Sequence, residues 1–155
     1  MDGDLAARVA PTTIDDGTFL STDYFNAFNE VIMLLGMLHE MPEMFDEVRE
    51  WRFRTYEEHF RESGLALAPL AIEAYGHVDP SIRAEFERNV AQLRLTIETA
   101  RDALARMIDR GEFGRFKNSA IDYSMQLQAL VDAGSAIVHG GTTQVADQCA
   151  IDDMF

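Results

Sequence analysis

Between Asp79 and Gly141 the apolar residues return at alternating spacings of three and four, in two runs separated by a glycine-marked turn. Ile82, Phe86, Val90, Leu93, Ile97, Ala100, Leu104 and Met107 make the first run. Phe116, Ala120, Tyr123, Leu127, Leu130, Gly134 and Ile137 make the second. Such spacing is the seam of a helix that packs along a partner. Asp79-Pro80 starts the first helix, an Asp cap followed by Pro at the first helical position. Matching seams joined through Arg110-Gly111-Glu112-Phe113-Gly114 predict a long antiparallel hairpin over residues 80–140. No segment alternates as a strand does. The expected fold is all-α, a helical bundle built on this hairpin, with shorter N-terminal helices and a flexible C-terminal tail.

Upstream, the helical signals are shorter. Residues 1–20 mix Asp, Gly, Ala and Thr without periodicity and are expected to form a mobile arm. A helical domain then runs over residues 21–140. Ser21-Thr22-Asp23 caps a helix whose apolar face is Phe25, Phe28, Val31 or Ile32, Leu35 and Leu38. Pro42 ends or kinks it and can open a short helix through Phe45, Val48 and Trp51. Thr55-Tyr56-Glu57-Glu58 has the form of a capping box, with Gly64 as the stop. Leu65 to Tyr75 is apolar and Ala-rich, with Gly76 just past its end. Beyond Gly140-Gly141 the chain turns small and polar, and residues 141–155 read as a flexible tail.

At 155 residues the simplest expectation is one domain with a respectable core. A formal net charge of -14 leaves no basic patch, which argues against nucleic acid and against anionic membranes as partners. No apolar stretch is long enough to span a bilayer, and the acidic N-terminus lacks a signal peptide's basic start and apolar run. Cys149 is the single cysteine, so there is no internal disulfide and no thiolate-rich zinc cage. These features fit a cytoplasmic protein without membrane insertion.

Four features invite a functional reading. His39, His59, His77 and His139 lack the Glu-x-x-His pairs of a di-iron bundle, so no metal is expected. Trp51, Phe53, Tyr56 and Phe60, interleaved with Arg49, Arg52, Arg54 and Arg61, could dock an acidic partner. Such aromatics are more often core, with the arginines snorkelling from its rim. Asp122 and Gln126 lie four apart on the second hairpin helix and share a face flanking the seam. The chain ends in Gln148-Cys149-Ala150-Ile151-Asp152-Asp153-Met154-Phe155, in which Ile151, Met154 and Phe155 would form one apolar side if the segment became helical on a partner.

Asp-x-x-x-Gln shortly after a hairpin turn, followed by this ending, resembles the CheZ family of chemotaxis phosphatases. The resemblance covers roughly the C-terminal half, from Pro80 onward. In that family the second hairpin helix carries Asp-x-x-x-Gln, and a C-terminal peptide binds the response regulator CheY. The ending also looks like the CheY-binding peptide of the flagellar switch protein FliM. The resemblance implies that Gln126 positions a water to attack the receiver's aspartyl-phosphate. It implies that Asp122 orients the receiver's lysine. It implies that Gln148, Ile151, Asp152, Asp153, Met154 and Phe155 bind the phosphorylated CheY-type response regulator. No cofactor of the chain's own is implied, because the receiver supplies Mg²⁺.

Ile121, Met125, Val131 and Val138 form a second partial apolar stripe on the last helix. One hairpin cannot bury two stripes, so either the N-terminal helices or a second copy must cover it. A homodimer through the hairpins is what the family resemblance implies. The alternative to a phosphatase is a non-enzymatic adaptor or phosphate sink that binds a receiver through its C-terminal peptide.

Overall fold

Local start signals set the helices beginning at Tyr56 and Pro80 in a computed structural model, which describes residues 2–140, whereas those beginning at Asn26, Phe45 and Ala68 have no side-chain cap. Seven α-helices are present among the described residues: α1 (Asp2–Val9), α2 (Asn26–Met37), α3 (Phe45–Glu50), α4 (Tyr56–Ser63), α5 (Ala68–Tyr75), α6 (Pro80–Asp109) and α7 (Phe113–Val138). Single turns of 3₁₀ helix at Thr22–Phe25 and Pro42–Met44 precede α2 and α3. The described residues contain no strand, only one isolated bridge between Ile14 and Ser21, and the fold is all-α. No helix is long and apolar enough to cross a membrane among these residues.

The capping box before α4 forms completely. Thr55 Oγ1 accepts from the Glu58 amide at 3.2 Å, and Glu58 Oε1 accepts from the Thr55 amide at 2.9 Å. Asp79 Oδ1 accepts from both the amide and the hydroxyl of Ser81 at the start of α6, which holds its carboxyl below the usual range. The link between α6 and α7 holds a Schellman turn. The Gly111 amide bonds the Ile108 carbonyl, and the Glu112 amide reaches back to the Met107 carbonyl. Gly111 sits at a φ of 70°, where a side chain would be strained.

Contacts group the chain into two units. Of the described residues, the first takes those up to Tyr24, Arg54–Asn89 and those from Asp132 to Gly140. Its core is a stack of rings. Tyr56 lies nearly parallel to Tyr75 at 4.5 Å, while Tyr24 and Phe86 pack on Tyr56 at 5.3 and 5.6 Å. A buried phenol needs a partner. Tyr24 donates to the Arg54 carbonyl, Tyr75 donates to Glu87, and the Tyr56 oxygen accepts from the Ser21 amide. Burial pushes all three phenols above their ordinary pKa.

The mobile arm expected over residues 1–20 does not hold for residues 2–20. Leu5 and Val9 on α1 are buried, as are Ile14 and Leu20 in the turn that follows. Arg8 pairs with Glu73 of α5 through two bonds of 2.7 and 2.8 Å. Two apolar residues one turn apart are enough to seat a helix of eight residues, yet too few to register as periodicity. In the turn, Asp15 Oδ1 accepts from the amides of Gly17 and Thr18, and the buried Thr18 hydroxyl donates to the Val138 carbonyl at the end of α7.

His59 is half-buried in this unit, edge-on to Tyr24 and Phe60. Burial lowers its pKa and outweighs the opposite pull of a backbone hydrogen bond at Asp23 and of the Asp23 and Glu62 charges; Arg54 lowers it further. The folded protein therefore holds this proton less tightly than the unfolded chain does. Its contribution to stability is complete above the ordinary value of 6.5 and is lost as pH falls through the lowered folded pKa. Thermal unfolding midpoints are expected to fall on acidification from about pH 7.5 to 5.5, and to fall less in His59→Gln. Equal slopes for the two proteins would contradict this.

The second unit takes Phe25–Phe53 and Val90–Val131. Here α2 and α3 pack on the facing parts of α6 and α7. Phe45 of α3 meets Phe116 of α7 edge-on at 5.7 Å, and the Ser124 hydroxyl donates to the Ile32 carbonyl of α2 at 3.0 Å. Gly36 permits that approach, since a Cβ there would lie 3.4 Å from Ser124 Oγ. The expected aromatic cluster divides by unit. Tyr56 and Phe60 are buried core of the first, whereas Trp51 and Phe53 are half-buried on Phe28 in the second, under Arg101 and Arg94 respectively.

Candidate functional site

The α7 seam is set by Phe116, Ala120 and Leu127, all buried, with Tyr123 half-buried between them. At 100° per residue these positions fill one side of the helix. Asp122 and Gln126 fall outside that arc and are both exposed. Ser124 lies nearly opposite Asp122 around the helix, so its bond to α2 fixes α7 from behind. The two candidate side chains are thus presented one turn apart on a helix interior that packing holds in place.

Met125, expected to belong to a second buried stripe, is instead 67 % exposed beside Asp122 and Gln126. Val131 and Val138 of the same stripe are buried, and Ile121 is half-buried. Met125 is thus flanked by a carboxylate and an amide, with Ala129 exposed one turn further on. Spacing alone placed Met125 in a stripe; only the packing of α2 and α3 reveals which part of that stripe stays bare.

The exposed pair can do limited chemistry on its own. The Gln126 amide offers one acceptor and two donors, and the Asp122 carboxylate can accept from a cation. Neither is a nucleophile activated by a base, and no group of three or more His, Cys, Asp or Glu suited to hold a metal ion occurs among the described residues. Gln148, Ile151, Asp152, Asp153, Met154 and Phe155 lie outside the described residues, so their relation to Asp122 and Gln126 is not defined. The histidines sit apart: His139 lies 3.6 Å from Asp15 near the end of α7, and His39 lies 3.6 Å from Glu40. Comparison with protein-family models, with curated proteins and with solved structures finds no match to this chain.

Proposed function

We propose that this protein is a phosphatase of the CheZ type, which removes the phosphoryl group from the aspartate of a CheY-type response regulator. The observation that carries this reading is the joint exposure of Asp122 and Gln126 on one turn of a braced helix. The order of features along the sequence supports it: helix, short turn, Asp-x-x-x-Gln, polar segment, terminal peptide. The three-residue connection from Asp109 to Phe113 suits an antiparallel hairpin of α6 and α7.

The receiver brings its own phosphoaspartate, Mg²⁺ and lysine, so this chain needs to add position rather than reactivity. Gln126 accepts a hydrogen bond from a water held in line with the breaking P–O bond, and its NH₂ donates toward the phosphoryl oxygens. An amide suits that place because a carboxylate would repel the same oxygens. Asp122 pairs with the receiver's lysine and sets the angle of approach.

Ile151, Met154 and Phe155 grip the receiver away from its active site, and the polar segment from Gly140 to Ala146 serves as the tether. Binding at the second contact then becomes intramolecular, at an effective concentration that rises without any new contact. Phosphate release measured over a range of receiver concentrations tests this. A chain ending at residue 141 is expected to need roughly 10²-fold more receiver for half-maximal rate, with a smaller change in the maximum. An unchanged concentration dependence would remove the tether from the account.

A further inference from the structure

The chain is strongly acidic, yet one groove of its second unit is lined with arginines. Arg106 and Arg110 stand one turn apart at the end of α6, and the Schellman turn at Gly111 brings Arg115 of α7 to the same groove. The groove has a volume of about 290 Å³; Met107 gives it an apolar side, and Tyr123 also lines it. The charge balance of the whole sequence hides this local cluster, because Arg106 is on α6, Arg110 in the turn after it and Arg115 on α7.

Arg106, Arg110 and Arg115 are all exposed, and three features of their surroundings favour an anion between them. Like charges one turn apart repel, and the side chains of Arg106 and Arg110 form no ion pair with a described residue. The helix dipole favours cations at the end of α6, but it disfavours Arg115 in the first turn of α7. Among the described residues the sole counter-charge lining the groove is Glu112, with one oxygen 3.6 Å from Arg115 and the other buried without a hydrogen-bond partner there. Three cations against one lining carboxylate leave the groove short of negative charge, and a bound anion would relieve the repulsion between the arginines and the unfavourable dipole at Arg115.

We propose that this groove binds a compact oxyanion ligand, a small molecule carrying phosphate or carboxylate groups. Guanidinium forks match both groups with paired hydrogen bonds. The volume lies just under the ~300–1,000 Å³ usual for small-molecule sites, which fits a ligand with few atoms beyond its anionic groups. The net charge of -14 repels an extended polyanion such as a nucleic acid. This inference does not rest on the phosphatase reading.

Isothermal titration of the full chain with pyrophosphate and with citrate, at low and matched ionic strength, tests it. The expected result is saturable binding of at least one probe, weakened about tenfold or more in Arg106→Gln/Arg110→Gln and in Arg115→Gln, and unchanged in Arg61→Gln. Binding of pyrophosphate alone would make the ligand a phosphate compound, and comparable binding of citrate would extend it to carboxylates. Circular dichroism of each variant separates loss of the site from loss of the fold. Absence of saturable binding by either probe, or equal weakening in Arg61→Gln, would overturn the proposal.

Discussion

Gln126→Ala is expected to lower the maximal rate of phosphate release from a phosphorylated receiver by roughly 10²-fold while leaving receiver binding nearly intact. The reason is where the side chain stands. Gln126 is exposed and supports no packing, so its removal leaves α7 and the fold unchanged. Its proposed interactions are with a water and with the phosphoryl group, and these count most in the transition state. Asp122→Ala should differ, raising the receiver concentration needed as well as lowering the rate, because its proposed contact with the receiver's lysine forms before reaction. If Gln126→Ala released phosphate as fast as the wild type, the active residues would lie elsewhere. If neither protein accelerated release but both bound the receiver, the protein would be an adaptor, and Asp-x-x-x-Gln would be plain surface.

The second large effect expected is structural. Arg101 lies on α6, where its Nε donates to the Val48 carbonyl at 3.1 Å and an Nη donates to the Trp51 carbonyl. These are carbonyls at the end of α3, a helix of six residues whose last turn has few other partners. The guanidinium also lies over the Trp51 ring at 5.5 Å, while the indole N–H donates to the Ala27 carbonyl of α2. One arginine therefore ties α6 to α3, and through Trp51 to α2. Arg101→Ala should cost about 2 kcal/mol, since it leaves partly buried carbonyls without charged donors.

In a chain of this length that corresponds to a thermal midpoint lower by roughly 4–8 °C. Arg101→Met keeps much of the stem over Trp51 but has no donors, and should be nearly as unstable as the alanine variant. Arg101→Lys should recover only part, because an ammonium cannot fork to both carbonyls. Full recovery in Arg101→Met would mean that packing, not hydrogen bonding, makes the tie.

Features fixed by neighbouring residues were legible in the sequence. The Thr55–Glu58 box, the Asp79-Pro80 start and the Gly111 turn each depend on groups within a few positions, so type and spacing suffice. The seams of α6 and α7 were legible because seven or eight apolar residues repeat the same interval. α1 was not, for Leu5 and Val9 make a stripe of two. Arg101 was equally hidden, since its partners are some fifty residues away and nothing local marks it.

The site divides along the same line. That Asp122 and Gln126 share a face follows from helical spacing, but that Met125 stays bare beside them depends on where α2 and α3 cover α7. The arginine groove escapes any reading based on net charge, because a three-residue turn folds Arg115 back toward Arg106 and Arg110.

The central claim is that this chain speeds loss of a receiver's aspartyl-phosphate. The most direct test follows the acyl phosphate of a CheY-type receiver in Mg²⁺, alone and with the wild-type protein added in substoichiometric amount. The account predicts that the protein shortens the phosphate's lifetime and turns over many receivers. A lifetime unchanged at saturating protein, with the receiver demonstrably bound, would contradict it.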